Sequence, residues 1–356
     1  MKSGSTREDK VLYGQFYTRV NPFALQPFRE WIQAIPDIQN QRFVEPFSGS
    51  NSIVQMIIET YPHISVSQWS AFDLHPEAQE NNLVPSLEVI KQDTIARFPT
   101  SFSVCITNPP YLAKNSASRK KLQVDFEGFQ DLFEVSLSRM LDCCKWVAAI
   151  VPESFITRPI LRSRLYSIIS LTQTMFDDTE FPVCLALFNP EPTKTYNLWQ
   201  NETYLGEHRT LKDALDKLLL IPKSRLFRFN DANGSLGLYA VDMTKGPSIR
   251  FVEGSVIPGS EIKHTSRAIT RIGSRLFIDV DLNQVINLCN ANLSTYRERT
   301  KDVFLTSFKG LREDGRYRRR LDWETAQRII TTSLVEYNPS IRDLIISDSK
   351  LELWQL

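Results

Sequence analysis

The sequence lacks the features of a membrane protein or a metalloprotein. Among its 356 residues no apolar run approaches the roughly 18 residues that a membrane span needs, and the polar opening MKSGSTREDK lacks the apolar core of a secretion signal. Only five cysteines and four histidines are present, with no CxxC pair and no spacing typical of metal ligands. We therefore expect a cytoplasmic protein with reduced thiols, no membrane partner and no bound metal.

The sequence also lacks an excess of either charge. It has 42 Lys and Arg residues against 41 Asp and Glu residues, and 42% of its residues are hydrophobic. This composition is that of an ordinary globular protein, so a disordered or fibrous chain is excluded. At roughly 100–200 residues per domain, the length predicts two domains.

Short apolar runs alternate with amphipathic stretches between about residues 40 and 190. Two of the stretches, 52–61 and 126–141, have helical spacing of apolar residues. The alternation predicts an α/β fold with a parallel sheet and helices on both faces. Ligands of such sheets bind beyond the carboxyl ends of the strands, where the strand order reverses. The candidate strands lie at 42–47, 68–73, near 87–92, and at 103–108, 146–152 and 183–188.

Polar residues follow these candidate strands. The first strand is followed by SGSNS, the second ends on Asp73, and the third is followed by Asp93. A carboxylate can accept two hydrogen bonds from a ribose diol, and another can accept from an exocyclic amine. The strand ends therefore predict a site for a nucleoside-like cofactor.

The strongest signal is the tetrapeptide NPPY at residues 108–111. Its two prolines fix two φ angles and keep the loop stiff. The Asn108 side-chain oxygen and the Pro109 carbonyl can then accept both hydrogens of a planar amino group. They would also stabilise the positive charge that develops as its nitrogen attacks a methyl group. Tyr111 can stack on a base that has left the duplex, whereas a turn alone would need neither asparagine nor tyrosine.

These motifs resemble the S-adenosylmethionine-dependent amino-methyltransferases of DNA, chiefly the adenine-N6 enzymes of restriction–modification systems with the gamma motif order. The resemblance covers roughly residues 12–190. It implies a Rossmann-like methyltransferase sheet, S-adenosyl-L-methionine as cofactor, and a flipped-out adenine of duplex DNA as substrate. We assign residues 1–190 to a catalytic domain and, by position only, 191–356 to a target-recognition domain of mixed α/β structure. A cognate restriction endonuclease is a further candidate partner.

The resemblance also implies roles for individual residues. The cofactor-binding set is Gln15, Phe16, Tyr17, Thr18, Glu45, Pro46, Phe47, Gly49, Asp73, Asp93 and Asn108. The catalytic set is Asn108, Pro109, Pro110, Tyr111 and Phe176, the last as a second aromatic against the flipped base. Phe181 competes with Phe176, but it adjoins an apolar strand and we expect it to be a packing residue. Asn51 stands where the family usually has a second glycine, and asparagine tolerates the left-handed φ of such a turn.

Two groups of basic residues predict contacts with DNA phosphates. The first group follows the NPPY loop and comprises Lys114, Arg119 and Lys120. The second crowds around Gly315 and comprises Arg312, Arg316, Arg318 and Arg319.

The sequence leaves other functions open. The NPPY tetrapeptide also occurs in enzymes that methylate guanine amines of RNA or glutamine amides of proteins, and cytosine-N4 methylation is a narrower variant. A DNA-binding protein with a catalytically silent methyltransferase fold is the non-enzymatic alternative.

Overall fold

The computed structural model describes residues 20–76, 79–172, 175, 181–223, 226–262 and 267–346. The chain divides into two compact units, Met1–His208 and Arg209–Leu356. The first compact unit therefore extends beyond residue 190, where the sequence predicts the domain boundary. The reason is strand pairing, because two strands beyond residue 190 hydrogen-bond into the sheet of the first unit.

The first unit is built on a nine-stranded sheet. Its strands are β1 (Phe43–Glu45), β2 (Trp69–Asp73), β3 (Val89–Lys91), β4 (Val104–Thr107), β5 (Trp146–Pro152), β6 (Leu165–Leu171), β7 (Val183–Phe188), β8 (Asn197–Gln200) and β9 (Thr203–Glu207). They lie in the order β3-β2-β1-β4-β5-β7-β6-β8-β9. Strands β1 to β5 are parallel, whereas β7 is antiparallel to both of its neighbours.

Helices flank this sheet, and the predicted Rossmann-like α/β fold is confirmed. The helices of the first unit are α1 (Gln26–Gln33), α2 (Ser52–Thr60), α3 (Lys114–Arg119) and α4 (Leu132–Cys143). The prediction of one helix over 126–141 is wrong at its start. Glu127 and Gly128 have φ angles of 49° and 89°, which a right-handed helix does not allow. Asp131 then caps α4, with its carboxylate accepting from the backbone N–H of Phe133.

The sheet carries a hydrophobic core on each face. Trp31 of α1 and Ile57 of α2 share one buried cluster with Ile150 of β5. Because successive residues of a strand point to opposite faces, the neighbouring Val151 faces away from that cluster. Helix α4 packs on β5 as well, and its buried Phe133 meets Phe155 edge-on, with ring centroids 6.3 Å apart. Two apolar layers thus hold the strand ends, which carry the predicted site.

The second unit is also a mixture of strands and helices. Its strands are β10 (Arg228–Phe229), β11 (Leu236–Tyr239), β12 (Arg250–Glu253), β13 (Ile269–Gly273), β14 (Thr306–Leu311) and β15 (Tyr317–Arg320). Its helices are α5 (His208–Leu218, which begins at the last residue of the first unit), α6 (Leu282–Thr300), α7 (Trp323–Tyr337) and α8 (Arg342–Ile345). The first four strands form an antiparallel sheet in the order β10-β13-β11-β12, and β14 pairs with β15. Across the described part of the chain, no helix is long and apolar enough to span a membrane.

Candidate active site

The strand order reverses between β1 and β4. From β1 the chain continues outward to β2 and β3, then returns to β4 and β5 on the other side of β1. This is the position at which open α/β sheets bind ligands, at the carboxyl ends of the strands. The loop after β1 contains Gly49, and the loop after β4 contains residues 108–111. The two strongest motifs of the sequence therefore flank the same point of the sheet.

A buried hydrogen bond joins the ends of these two strands. The hydroxyl of Thr107, the last residue of β4, donates to Oε1 of Glu45, the last residue of β1, over 2.7 Å. The backbone N–H of Phe47 donates to the same oxygen over 3.2 Å. Burial raises the pKa of Glu45 to about 8, and the negative charge of Asp73 acts in the same direction. Glu45 therefore carries a proton up to near-neutral pH, and its buried Oε2 accepts no hydrogen bond from a described residue.

The loop after β1 has the conformation that its sequence predicts. Gly49 and Asn51 have φ angles of 51° and 62°, so the asparagine occupies the left-handed region in place of a second glycine. The Asn51 side chain donates to Oδ1 of Asn82 over 2.9 Å, which ties the loop to the segment before β3. Asn51 also precedes helix α2 as its N-terminal cap residue.

Asp73 supports this loop from the neighbouring strand. The backbone N–H of Gly49 donates to Asp73 Oδ2 over 3.0 Å, and that of His75 donates to Oδ1 over 2.8 Å. Each carboxylate oxygen has room for another hydrogen bond, and 7% of Asp73 remains exposed. Asp93 lies beyond β3 and is exposed. Its Oδ1 accepts from the N–H groups of Ile95 and Ala96.

The remaining predicted cofactor residues differ in position. Pro46 is buried, and its carbonyl accepts from the Thr94 hydroxyl over 2.8 Å. Phe47 is half-buried. Gln15, Phe16, Tyr17 and Thr18 lie outside the described residues, and so does Phe176.

Within the NPPY loop, the tyrosine and the asparagine contact each other. The Tyr111 hydroxyl donates to Asn108 Oδ1 over 2.6 Å and lies 2.8 Å from the backbone oxygen of Ile150 in β5. Burial raises the pKa of Tyr111 well above its usual range, so the hydroxyl keeps its proton. Asn108 and Pro110 are half-buried and Pro109 is buried. The loop is therefore held at the sheet edge by its own side chains.

The N-terminus of α4 anchors the other end of the loop, and this role was not predicted from the sequence. The backbone N–H of Leu112 donates to Asp131 Oδ1 over 3.0 Å, and the N–H of Leu132 donates to the Leu112 carbonyl over 3.1 Å. Glu134 completes a capping box with Asp131. The pattern D-x-x-E before an apolar run was a signal in the sequence that marks this helix start.

An aromatic group surrounds Tyr111. Its ring centroid lies 6.4 Å from that of Phe133 and 6.4 Å from that of Phe181. The expectation that Phe181 is a packing residue is wrong, because 47% of its surface is exposed and its ring is tilted beside that of Tyr111. Phe181 precedes the apolar strand β7 without sharing its burial, and strand proximity was therefore a misleading criterion.

The two basic groups differ in exposure. Lys114 and Arg119, at the two ends of α3, are exposed, as is Lys120 directly after it. Arg316 is exposed at a turn where Gly315 has a φ angle of 75°.

The other predicted arginines serve the interior of the second unit. Arg312 is 4% exposed and pairs with Asp242 over 3.0 Å and with Asp314 over 2.8 Å. Arg319 is buried and donates to the Ser307 hydroxyl over 2.8 Å. Arg318 donates to the Asp242 carbonyl and lies over the Phe308 ring. Of this group only Arg316 keeps an exposed guanidinium, and the prediction of phosphate contact is corrected for Arg312 and Arg319.

The described residues contain no group of three or more His, Cys, Asp or Glu side chains that could hold a metal ion. The site instead offers two carboxyl groups, a glycine turn, an amide and exposed aromatic surface. The negative charge of Asp73 would repel a phosphate group, so this edge of the sheet suits a neutral or cationic nucleoside better than a nucleotide.

No protein-family model matches this sequence, and no curated protein matches it. Solved structures resemble part of the chain. A modification subunit of a putative type I restriction enzyme from Vibrio vulnificus YJ016 is 16% identical over 55% of this chain and 49% of that chain, with a TM-score of 0.38. A putative class I S-adenosylmethionine-dependent methyltransferase from Listeria monocytogenes is 15% identical over 51% of this chain and 64% of that chain, with a TM-score of 0.36. The match thus covers from about half to just under two thirds of those proteins.

Proposed function

We propose that this protein is an S-adenosylmethionine-dependent DNA methyltransferase that modifies the exocyclic N6 amine of a flipped-out adenine. One observation carries the proposal. The NPPY loop directly follows β4, and the turn that contains Gly49 follows the neighbouring strand β1, at the point where the strand order reverses. Asp73 accepts a hydrogen bond from the backbone N–H of Gly49 in that turn. An amine acceptor and a nucleoside site therefore lie on the same edge of one sheet.

The residues at this edge fit the proposed cofactor. Asp73 can accept hydrogen bonds from the two ribose hydroxyls, because each of its oxygens accepts only one backbone N–H among the described residues. Asp93 is exposed and would accept from the adenine amine of the cofactor. The negative charge of Asp73 suits a cationic sulfonium compound. When bound, this cofactor supplies an activated methyl group.

The protein orients the target amine and stabilises its developing charge. Asn108 Oδ1 accepts from Tyr111 and, having two lone pairs, can accept a second hydrogen bond from the amine. The Pro109 carbonyl offers the second acceptor. Both acceptors lie on a loop that two prolines, β5 and α4 hold in place, so little reorganisation is needed as charge develops. Tyr111 and the exposed ring of Phe181 would line the place of the flipped base.

Contacts with the DNA backbone are proposed for exposed basic residues only. Lys114, Arg119 and Lys120 follow the catalytic loop along the chain, so they would contact the strand near the flipped base. Arg316 is the exposed candidate in the second unit, which we propose as the target-recognition unit. A restriction endonuclease that acts on the same site remains a candidate partner.

The test compares Asn108→Ala with the matched control Asn115→Ala, an exposed asparagine of α3. Single-turnover methyl transfer to unmethylated genomic DNA and binding of S-adenosylmethionine are measured for both variants. We expect Asn108→Ala to lose at least a hundredfold in rate, a loss of the size found when one preorganised acceptor or donor is removed, with cofactor affinity unchanged. Normal transfer by Asn108→Ala would contradict the assigned role.

A further inference from the structure

Two arginines of the second unit lie close together without an ion pair to any described carboxylate. The guanidinium carbon of exposed Arg267 lies 5.1 Å from the centroid of the Trp323 ring. Arg320, at the end of β15, is half-buried, and its Nε has no acceptor among the described residues. Burial, and after it the positive charge of Arg267, lowers the pKa of Arg320. The two guanidinium groups are thus close enough to act on each other.

In the described part of this unit, four other arginines form ion pairs with carboxylates. Ion pairs join Arg228 to Asp231, Arg297 to Asp242 and Asp302, Arg312 to Asp242 and Asp314, and Arg328 to Asp216. Within the described ranges, neither Arg267 nor Arg320 forms such a pair. Asp322, whose charge also acts on Arg320, is engaged at the start of α7, where it accepts from the backbone N–H and the hydroxyl of Thr325.

Aromatic rings support the exposed arginine. The Trp323 ring stacks on Phe229, with centroids 4.7 Å apart and planes inclined by 14°. The indole N–H of Trp323 has no acceptor in the part of the chain that the structure describes. The cluster of Phe229, Arg267, Arg320 and Trp323 therefore has surplus donors and positive charge, and it offers no surplus acceptor. Its complement is an anion that accepts several hydrogen bonds.

We propose that this cluster binds a backbone phosphate of duplex DNA. The inference rests on the proposed function, which makes duplex DNA the polyanion that this protein meets. A guanidinium can donate two parallel hydrogen bonds to a phosphate, and stacking on a ring holds its plane ready to do so. A bound anion would also offset the repulsion between the two arginines. Such a contact positions the duplex and carries no sequence information.

The experiment measures binding of the full-length protein to two unrelated fluorescent duplexes over a range of salt concentrations. The variants are Arg267→Ala, Arg320→Ala and their combination. We expect the slope of log affinity against log salt to become shallower by about one in the double variant, because one phosphate contact contributes about 0.9 to that slope. Affinity should fall equally for both duplexes.

The control is Arg342→Ala, which removes one positive charge from an exposed residue beyond the far end of α7. That helix has 15 residues, and at about 1.5 Å per residue it keeps Arg342 far from Trp323 at its start. Arg342→Ala should keep the wild-type slope. Thermal unfolding checks that each variant is folded; should Arg320→Ala unfold, the exposed Arg267→Ala carries the test alone.

The outcomes separate this inference from the proposed function. If the double variant keeps the wild-type slope and affinity, the proposed phosphate contact is wrong. The proposed function is unaffected by that result as long as the wild-type protein binds and methylates DNA. Unequal loss on the two duplexes also overturns the phosphate contact, since a base contact would then be involved. A wild-type protein that binds neither duplex at low salt overturns the proposed function and, with it, DNA as the occupant.

Discussion

The hydroxyl of Tyr111 donates a hydrogen bond to the side-chain oxygen of Asn108 across 2.6 Å. The same hydroxyl lies 2.8 Å from the backbone oxygen of Ile150. One phenol proton thus has two acceptors within hydrogen-bond distance. The two side chains on which the proposed chemistry depends therefore form one unit that β5 holds in place.

Tyr111→Phe should retain most of the methyl transfer activity, because it keeps the ring and removes a hydroxyl that would compete with the target amine for the Asn108 oxygen. The expected loss is less than about tenfold, corresponding to about 1 kcal/mol for one net hydrogen bond. Tyr111→Ala removes the stacking surface and should lose about 1–3 kcal/mol more. Single-turnover rates measure both changes. A phenylalanine variant as impaired as the alanine variant would show that the hydroxyl, and not the ring, is required.

Glu45→Gln should change how stability depends on pH. The pKa of Glu45 is about 8 in the folded protein against an ordinary value of 4.5, so the folded state holds a proton that the unfolded state releases between those values. The contribution of Glu45 to the free energy of unfolding therefore falls as pH rises from about 5 to about 8. Glu45→Gln has no such proton to release. Over this pH range its free energy of unfolding should therefore rise, relative to that of the wild type, by up to about 1.4 kcal/mol per pH unit. Urea unfolding at several pH values measures the difference, and parallel curves would contradict the raised pKa.

Asp73→Asn should weaken the binding of S-adenosylmethionine about tenfold or more, because it replaces one acceptor oxygen with a donor and removes the negative charge. Asp125→Asn is a matched control. Each aspartate accepts the backbone N–H two residues on, from His75 and Glu127 respectively, but Asp125 lies outside the proposed site. Titration calorimetry measures both affinities. Equal affinities for the two variants would remove Asp73 from the cofactor site.

Phe181→Ala should lower kcat/KM for DNA, whereas the affinity for the cofactor should stay unchanged. Stacking on a base contributes about 1–3 kcal/mol, so the loss should lie between about fivefold and about a hundredfold. Phe181→Tyr keeps a ring beside Tyr111 and should stay near the wild type. If Phe176→Ala loses this activity and Phe181→Ala does not, Phe176 is the second aromatic residue against the flipped base, as the resemblance implies.

The parts of the fold that depend on local patterns could be predicted from the sequence. The first five of the six candidate strands correspond to β1 to β5, which form the predicted parallel part of the sheet. The left-handed conformation of Asn51 could also be predicted, because asparagine tolerates that conformation. The antiparallel direction of β7 could not be predicted, because it depends on pairing with β5 and β6. The strands β8 and β9 were not predicted for the same reason, because they depend on pairing with β6 and with each other.

The parts of the site that depend on distant residues also escaped prediction. Thr107 holds Glu45 across 62 residues of sequence, and no motif marks the pair. The burial of Arg312 could not be predicted either, because its partner Asp242 lies 70 residues away in the sequence. A run of basic residues in the sequence does not show which of them are paired with carboxylates in the folded protein. Burial then determines which arginines can reach DNA.

The central claim is tested most directly by methyl transfer from labelled S-adenosylmethionine to unmethylated duplex DNA, total RNA and protein extract, followed by analysis of the labelled product. We expect N6-methyladenine from DNA with the wild-type protein and none with Asn108→Ala. Label in RNA or in glutamine alone would retain the chemistry of residues 108–111 and contradict DNA as the substrate. Cofactor binding without label in any of the three would contradict the account of the protein as an active DNA methyltransferase.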